Sequence, residues 1–342
     1  MPLHRLTHIV MGVPNVEQTA AYYAEFGLIP VGAPGAPGAP GAPGAAAGPG
    51  AAASAGGAVG GDAGTGGRRT FATVDGGEQL TIVDSDLRRL VRLGVGVDDL
   101  DDLDRVAAGL AALGVPLARG EGSVTAADPG TRVTVRIELA HRVEQQPTPA
   151  PGYNAPGDIV RTDGRAPGVL REEPVRPRKL GHVVLGSTDR EASQRFFTEG
   201  IGFKVTDEVS DIAAFMRCST DHHNVLVQQA PVAFLHHTSW QVNDVDEVGR
   251  GASAMLAADP SRHTWGLGRH YIGSNFFWYL KDPAGNFSEY YSDLDCIVDG
   301  AVWKPGVWEG ARSLWAWGPP PPPSFLAPDD LGALMAGAHQ PS

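Results

Sequence analysis

LTHIVMGVPNVEQTAAYY at residues 6–23 lies without a gap against LGHVVLGSTDREASQRFF at residues 180–197. His8 meets His182, Gly12 meets Gly186, and Tyr22 and Tyr23 meet Phe196 and Phe197, at a constant offset of 174 positions. A second pairing sets VDDLDDL (97–103) against VNDVDEV (242–248) at an offset of 145. Self-similarity at fixed offsets marks an internal repeat. Each half therefore holds two strand–helix–strands units, and the halves are duplicates. A single βαβββ unit cannot bury its own sheet, so units must pair. The expected fold is α+β, with four βαβββ modules paired into two duplicated domains, each a mixed sheet curled around a concave face.

Local patterns fit this frame. RLTHIVMGV (5–13) is rich in β-formers and reads as a strand. Asn15 is placed to cap the helix VEQTAAYYAEFGL, which Gly27 would stop. RRTFATVD (68–75), EQLTIVD (78–84), RLVRLGVGV (89–97), SVTAADP and TRVTVRIELA supply further strands. The acidic run from Asp98 suits the cap and first turn of the helix RVAAGLAALGV, where the helix dipole favours negative charge. Residues 33–66 are almost entirely Gly, Ala and Pro and read as a disordered insertion. The domain organisation expected is 1–145 for the N-terminal domain, 146–178 for a linker, 179–298 for the C-terminal domain, and 299–342 for a Pro-rich tail packed over the body by its tryptophans. Pro319 to Pro323 should run as extended polyproline.

Bulk properties narrow the function. With 27 basic against 39 acidic residues, the net charge is −12, which is no nucleic-acid footprint. No stretch approaches the roughly 20 apolar residues of a membrane helix. The start MPLHRLTHIVMGVP does not read as a signal peptide. The two cysteines, Cys218 and Cys296, do not suggest a disulfide framework. A cytoplasmic protein is expected.

Chemistry concentrates between His182 and Glu289. That span holds His182, His222, His223, His236, His237, His263 and His270, seven of the chain's eleven histidines. His182 lies in the strand-like LGHVVLG, the pair His236 and His237 in FLHHTSWQV, and Glu289 in NFSEYY. Ligands on three strands of one curled sheet can converge. Two histidines and one carboxylate form a facial triad that leaves positions open on a non-haem metal. His236 and His237 should point to opposite faces, and alternation alone does not select between them. In the N-terminal half the offset of 145 puts Arg92 at the place of His237. Val135 and Arg136 fall near the place of Glu289, with Glu138 as the nearest acid, two or three residues late. That half is expected to bind no metal.

The run GRHYIGSNFFWYLKDPAGNFSE (268–289) resembles the signature of type I extradiol ring-cleaving dioxygenases of the vicinal oxygen chelate superfamily. The duplication, with a metal site confined to the second half, resembles the branch acting on biphenyl-2,3-diol and catechol. Trp278 departs from the usual aliphatic residue or Phe. The resemblance implies His182, His237 and Glu289 as metal ligands, with Fe(II) as the metal and Mn(II) second. It implies His223 as an acid–base residue beside the oxygen position; His222, its neighbour, should point away. It also implies His270 and Tyr279 as contacts to the substrate oxygens. The implied reaction is cleavage of a catecholic ring by O2 in aromatic catabolism, by a homo-oligomer with no nucleic-acid or membrane partner. NVLVQQAPVAFL, between His223 and His237, has the look of a hairpin bending near Pro231, which would set the two histidines on adjacent strands. The same scaffold could also serve a glyoxalase- or epimerase-like isomerase, or a metal-free binding protein.

Overall fold

A computed structural model describes residues 2–32 and 67–338, so the Gly/Ala/Pro insertion read at 33–66 lies outside the described residues. The N-terminal half contains β1 (Leu3–Val13), α1 (Val16–Glu25), β2 (Ile29–Pro30), β3 (Arg69–Thr73) and β4 (Gly77–Asp84). There follow β5 (Arg89–Val97), α2 (Leu100–Ala112), β6 (Leu117–Gly120), β7 (Ser123–Ala127) and β8 (Thr134–Leu139). A short turn of helix, α3 (Pro167–Leu170), interrupts the stretch leading to the second half.

The second half repeats the order: β9 (Lys179–Ser187), α4 (Arg190–Arg195, extended by a wider turn over Phe196–Ile201), β10 (Lys204–Val209), β11 (Ala213–Arg217) and β12 (Val225–Gln229). Its second unit is β13 (Phe234–Gln241), α5 (Val245–Ala258), β14 (His263–Arg269), β15 (Phe276–Lys281) and β16 (Phe287–Ser292). The tail adds β17 (Gly306–Trp308), α6 (Pro323–Leu326) and α7 (Leu331–Ala338).

The strand orders are β2-β3-β4-β1-β5-β8-β7-β6 and β14-β15-β16-β13-β9-β12-β11-β10-β17. Read from opposite ends they are the same topology, with β17 added at one edge. Within each βαβββ unit the first and last strands pair parallel, as β1 with β4 and β13 with β16. The fold is therefore α+β, built on two mixed sheets that share one duplicated plan.

The repeat at offset 145 has a local cause. Asp99 accepts a hydrogen bond from the Asp102 amide, and Asp244 from the Glu247 amide, so each matched acidic cluster opens a helix. Leu103, Val106, Ala107 and Leu110 then bury one stripe of α2. Asn15 departs from expectation. It makes no backbone cap, and its Oδ1 accepts from the Thr19 hydroxyl while its amide donates to the Pro283 carbonyl. Pro323 also departs: it opens α6 instead of prolonging the extended run, as its fixed φ suits a first helical position.

The two halves share one apolar core. Phe26, just past α1, stacks on Tyr290 of β16 with ring centroids 3.8 Å apart, and the Tyr290 hydroxyl donates to the Phe26 carbonyl at 2.7 Å. Tyr22 bonds Ser288. Ser288 and Tyr290 face α1, so alternation turns Glu289 to the other side of the sheet. The first half thus buttresses the back of the strand that carries the carboxylate.

Arg88 ties the halves together again. Its guanidinium is almost fully buried and donates to the Leu235 carbonyl at 2.5 Å and to Asp330 at 2.6 and 2.8 Å. Arg88→Met should lower stability to urea by about 1–3 kcal/mol, because it leaves a buried carbonyl without its donor. Asp330→Asn should cost less, since that side chain is half-exposed. Equal losses in the two variants would show that the ion pair, not the carbonyl contact, holds the junction.

Candidate metal centre

One cross-strand row builds the site. His182 of β9 lies opposite Ser239 of β13, Ser239 opposite Glu289 of β16, and Glu289 opposite Tyr279 of β15. Directly opposed residues share a face. His237 sits two residues before Ser239 and so points the same way. His182, His237 and Glu289 are all buried, and their ligand atoms lie within 4.8 Å of one another. This is the only such group of three found among the described residues.

The electrostatics suit a cation. Glu289 has no solvent exposure. Burial works against its charge, but bonding to His182, whose Nε2 lies 3.2 Å from Oε2, carries its pKa below the ordinary carboxylate range. Ser239 Oγ and Asn275 Nδ2 also donate to it. Burial lowers His237 well below the usual imidazole value, with neighbouring histidines adding to the effect. His237 Nε2 is buried, 3.9 Å from Glu289, and has no hydrogen-bond partner. An unpartnered buried imidazole nitrogen is costly unless something binds it. A bound metal requires neutral imidazoles and an ionised carboxylate. The donor set therefore fits a divalent ion.

A cavity of about 270 Å³ opens in front of the triad. His223, His270 and Tyr279 line it, as does Asn275. Burial, reinforced by His182, pushes the His223 pKa well below the ordinary value. Burial also raises Tyr279 well above its usual range and lowers His270. The His270 Nε2 and Tyr279 hydroxyl are 2.9 Å apart. The far wall is apolar: Val184, Phe215, Leu226, Ile272, Leu314, Phe325 and Leu326.

Two sequence expectations, on His236 and on the hairpin, need correction. His236 does not turn to the opposite face. The pairing of β13 with β9 slips between Leu235 and His237, so His236 is the extra residue of a β-bulge. It lines the cavity beside His237, with their Nδ1 atoms 2.8 Å apart. His222 turns away from the cavity, and its Nδ1 lies 3.1 Å from His223 Nδ1. The hairpin between His223 and His237 does not form either. β9 lies between β12 and β13, and residues 230–233 carry the chain from one βαβββ unit to the next. His223 reaches the cavity from the loop before β12.

Ser239 and Asn275 escaped the sequence reading. Ser239 was accessible through alternation from His237, whereas Asn275 sits in a loop that carries no periodic signal. In the first half the matching positions carry cations. Arg136 stands opposite Gly94, as Glu289 stands opposite Ser239, and Arg92 stands at the position of His237. The retained His8 approaches Glu138 at 3.4 Å, but Glu138 is also held by Arg136.

Residues 179–290 match the family model described as the Glyoxalase/Bleomycin resistance protein/Dioxygenase superfamily. Metapyrocatechase 2 of Cupriavidus necator is 35% identical over 190 residues, 54% of this chain and 59% of that protein. Biphenyl-2,3-diol 1,2-dioxygenase of Pseudomonas sp. (strain KKS102) is 26% identical over 217 residues, 60% of this chain and 71% of that protein. The chain thus matches little more than half the length of the first of these relatives. Among solved structures, the Mn(II)-bound glyoxalase from Novosphingobium aromaticivorans superposes with a TM-score of 0.68 at 22% identity, covering 95% of this chain and 94% of that one. BphC, a halotolerant catechol dioxygenase, superposes at 0.66 and 16% identity, covering 96% of each chain. These superpositions establish a shared fold. No helix among the described residues is long and apolar enough to cross a membrane.

Protein purified anaerobically and reconstituted with Fe(II) should bind about one ion per chain, because only one half keeps the donor set. His237→Ala and Glu289→Ala should lose it, while His8→Ala should retain it. Metal analysis giving two ions per chain, or an undiminished ion in Glu289→Ala, would contradict the assignment.

Proposed function

We propose that residues 179–298 form the catalytic domain of an extradiol dioxygenase that cleaves a catecholic ring with O2, and that residues 1–145 serve as scaffold. The observation that carries this reading is the buried His182, His237 and Glu289 triad facing a cavity lined by His223, His270 and Tyr279. Relatives named for metapyrocatechase and biphenyl-2,3-diol dioxygenase activity support it. The bound metal, Fe(II) with Mn(II) as the second candidate, would supply a Lewis acid with open positions for both catechol oxygens and O2.

The chain's own residues have separable tasks. His182, His237 and Glu289 would hold the metal through two imidazoles and one carboxylate. His270 and Tyr279 sit as a hydrogen-bonded pair on one side of the cavity and would orient a substrate oxygen. His223 packs against His182 on the other side, with ring centroids 4.1 Å apart, and would hold or deliver a proton near the oxygen position. Leu314, Phe325 and Leu326 close the cavity from the tail and exclude water.

The lining also bears on the substrate. Among the described residues that line the cavity there is no lysine or arginine, and Gln228 and Gln229 are the polar groups away from the metal side and Ser313. A ring substituent would therefore meet apolar walls, which favours a neutral alkyl or aryl catechol over a carboxylated one.

An isomerase reading is weaker, because a site drawing ligands from both halves would need donors where Arg92 and Arg136 stand. Turnover under air separates the readings. The dioxygenase yields a yellow ring-opened product with stoichiometric O2 uptake, whereas an isomerase consumes no O2 and a binding protein turns nothing over.

Two outcomes are expected. In a panel of catechols, kcat/KM should be higher for 3-alkyl or 3-aryl rings than for carboxylated rings of similar size, and the reverse order would refute the apolar-wall assignment. His223→Ala should keep its metal and bind catechol anaerobically, while turnover falls by roughly 10²–10⁴, the usual worth of a positioned acid or base. Loss of metal would make His223 a ligand, and normal turnover would make it a bystander.

A further inference from the structure

Three contacts of the C-terminal segment are left unused by the function proposed above. His270 Nδ1 lies 2.5 Å from the Leu314 carbonyl. His236 Nε2 lies 2.7 Å from the Phe325 carbonyl. His222 Nε2 lies 2.8 Å from Asp207 Oδ2, and the other oxygen of that carboxylate accepts from the Gly306 amide at 2.6 Å and the Trp308 indole at 2.9 Å. Both donors to Asp207 belong to β17, which pairs with β10 at the sheet edge.

Carbonyl and carboxylate oxygens only accept, so in each contact the histidine nitrogen carries the proton. With one proton per ring, the opposite nitrogen is then a bare acceptor. His236 Nδ1 faces His237 Nδ1, so His237 must donate from Nδ1, which leaves its Nε2 lone pair directed at the metal position. His222 Nδ1 faces His223 Nδ1, so His223 must also donate from Nδ1 and present a bare Nε2. His270, donating from Nδ1 to Leu314, accepts from the Tyr279 hydroxyl at Nε2. His223, His237 and His270 reach the same tautomer, and in each case the outermost contact comes from the tail.

We propose that the segment Gly306–Phe325 sets the tautomers of His223, His237 and His270, acting through Asp207, His222 and His236 as positioning residues. Hydrogen bonds behind a ligand or proton-bearing histidine fix which ring nitrogen faces the reaction. The tail therefore does more than roof the cavity. Its Leu314 and Phe325 carbonyls, and the Asp207 carboxylate that Gly306 and Trp308 hold in place, decide that Nε2 is the working atom. The consequence for catalysis rests on the function proposed above, but the tautomers themselves do not.

Asp207→Asn separates this from a packing role. The Gly306 and Trp308 donors should hold the amide oxygen, so the side-chain NH2 is left to donate to His222 Nε2. His222 must then carry its proton on Nδ1 and donate it to His223, which moves the His223 proton to Nε2. The full chain, labelled with 15N-histidine, would be measured metal-free and loaded with Zn(II) by long-range 1H–15N correlation. The wild type should show His223 protonated on Nδ1. The variant should show both His222 and His223 reversed, with His236 and His270 unchanged and zinc content equal. Unchanged tautomers in a folded Asp207→Asn would overturn the proposal. If that variant does not fold, the wild-type spectrum still decides, since a proton on Nε2 of metal-free His223 or His237 contradicts it. Neither readout depends on which reaction the site performs.

Discussion

A carboxylate with no access to water sits at the centre of the second sheet, and the structure around it is arranged to keep it ionised. An isolated buried carboxylate would take up a proton or be costly to bury. Glu289 instead receives hydrogen bonds from Ser239 and Asn275 and lies beside His182. Together these interactions outweigh its desolvation and hold its pKa below the ordinary carboxylate range. The orphaned nitrogen of His237 and the anion of Glu289 face each other across a gap that a divalent cation would satisfy at once. The cross-strand register makes this possible, because it puts His182, Ser239, Glu289 and Tyr279 in one row without loops or hinges. A site on paired strands is held by the sheet itself. The first half supports that register from behind, through Phe26 and Tyr22 on the alternate residues of β16.

Duplication has left the two halves with one topology and opposite electrostatics. Positions matching His237 and Glu289 carry Arg92 and Arg136 in the first half. The guanidinium of Arg136 takes up Glu138, the acid closest to the retained His8. The same row of strands thus carries cationic side chains on one side of the molecule and a donor set that fits a cation on the other.

Much of this was legible in the sequence because it depends on period and offset. The gapless match of 6–23 with 180–197 reveals the duplication, and the acidic run from Asp98 reveals a helix start, though not that Asp99 is the residue that caps it. His182, His237 and Glu289 could be proposed because the resemblance supplied a motif and the strand patterns placed them. What remained hidden lies where regular alternation breaks or where contacts cross long distances. The bulge at His236 turns two sequential histidines to one side, and alternation cannot anticipate an extra residue. The false hairpin between His223 and His237 arose because a chain reversal was visible, but not that β9 would lie between the two strands. Asn275 sits in a loop. The tail's carbonyl contacts to His236 and His270 join residues tens of positions apart and involve backbone atoms, which leave no trace in side-chain pattern.

The account stands on ring cleavage at the triad of the second half, and isotope labelling tests it most directly. Protein reconstituted with Fe(II) under argon would be mixed with a 3-alkyl catechol and 18O2 and the product analysed by mass spectrometry. Ring opening beside the diol, with both 18O atoms in one product molecule before exchange with water, is the result predicted. Cleavage between the two hydroxyls, incorporation from water alone, or no consumption of O2 by the metal-loaded protein would contradict it.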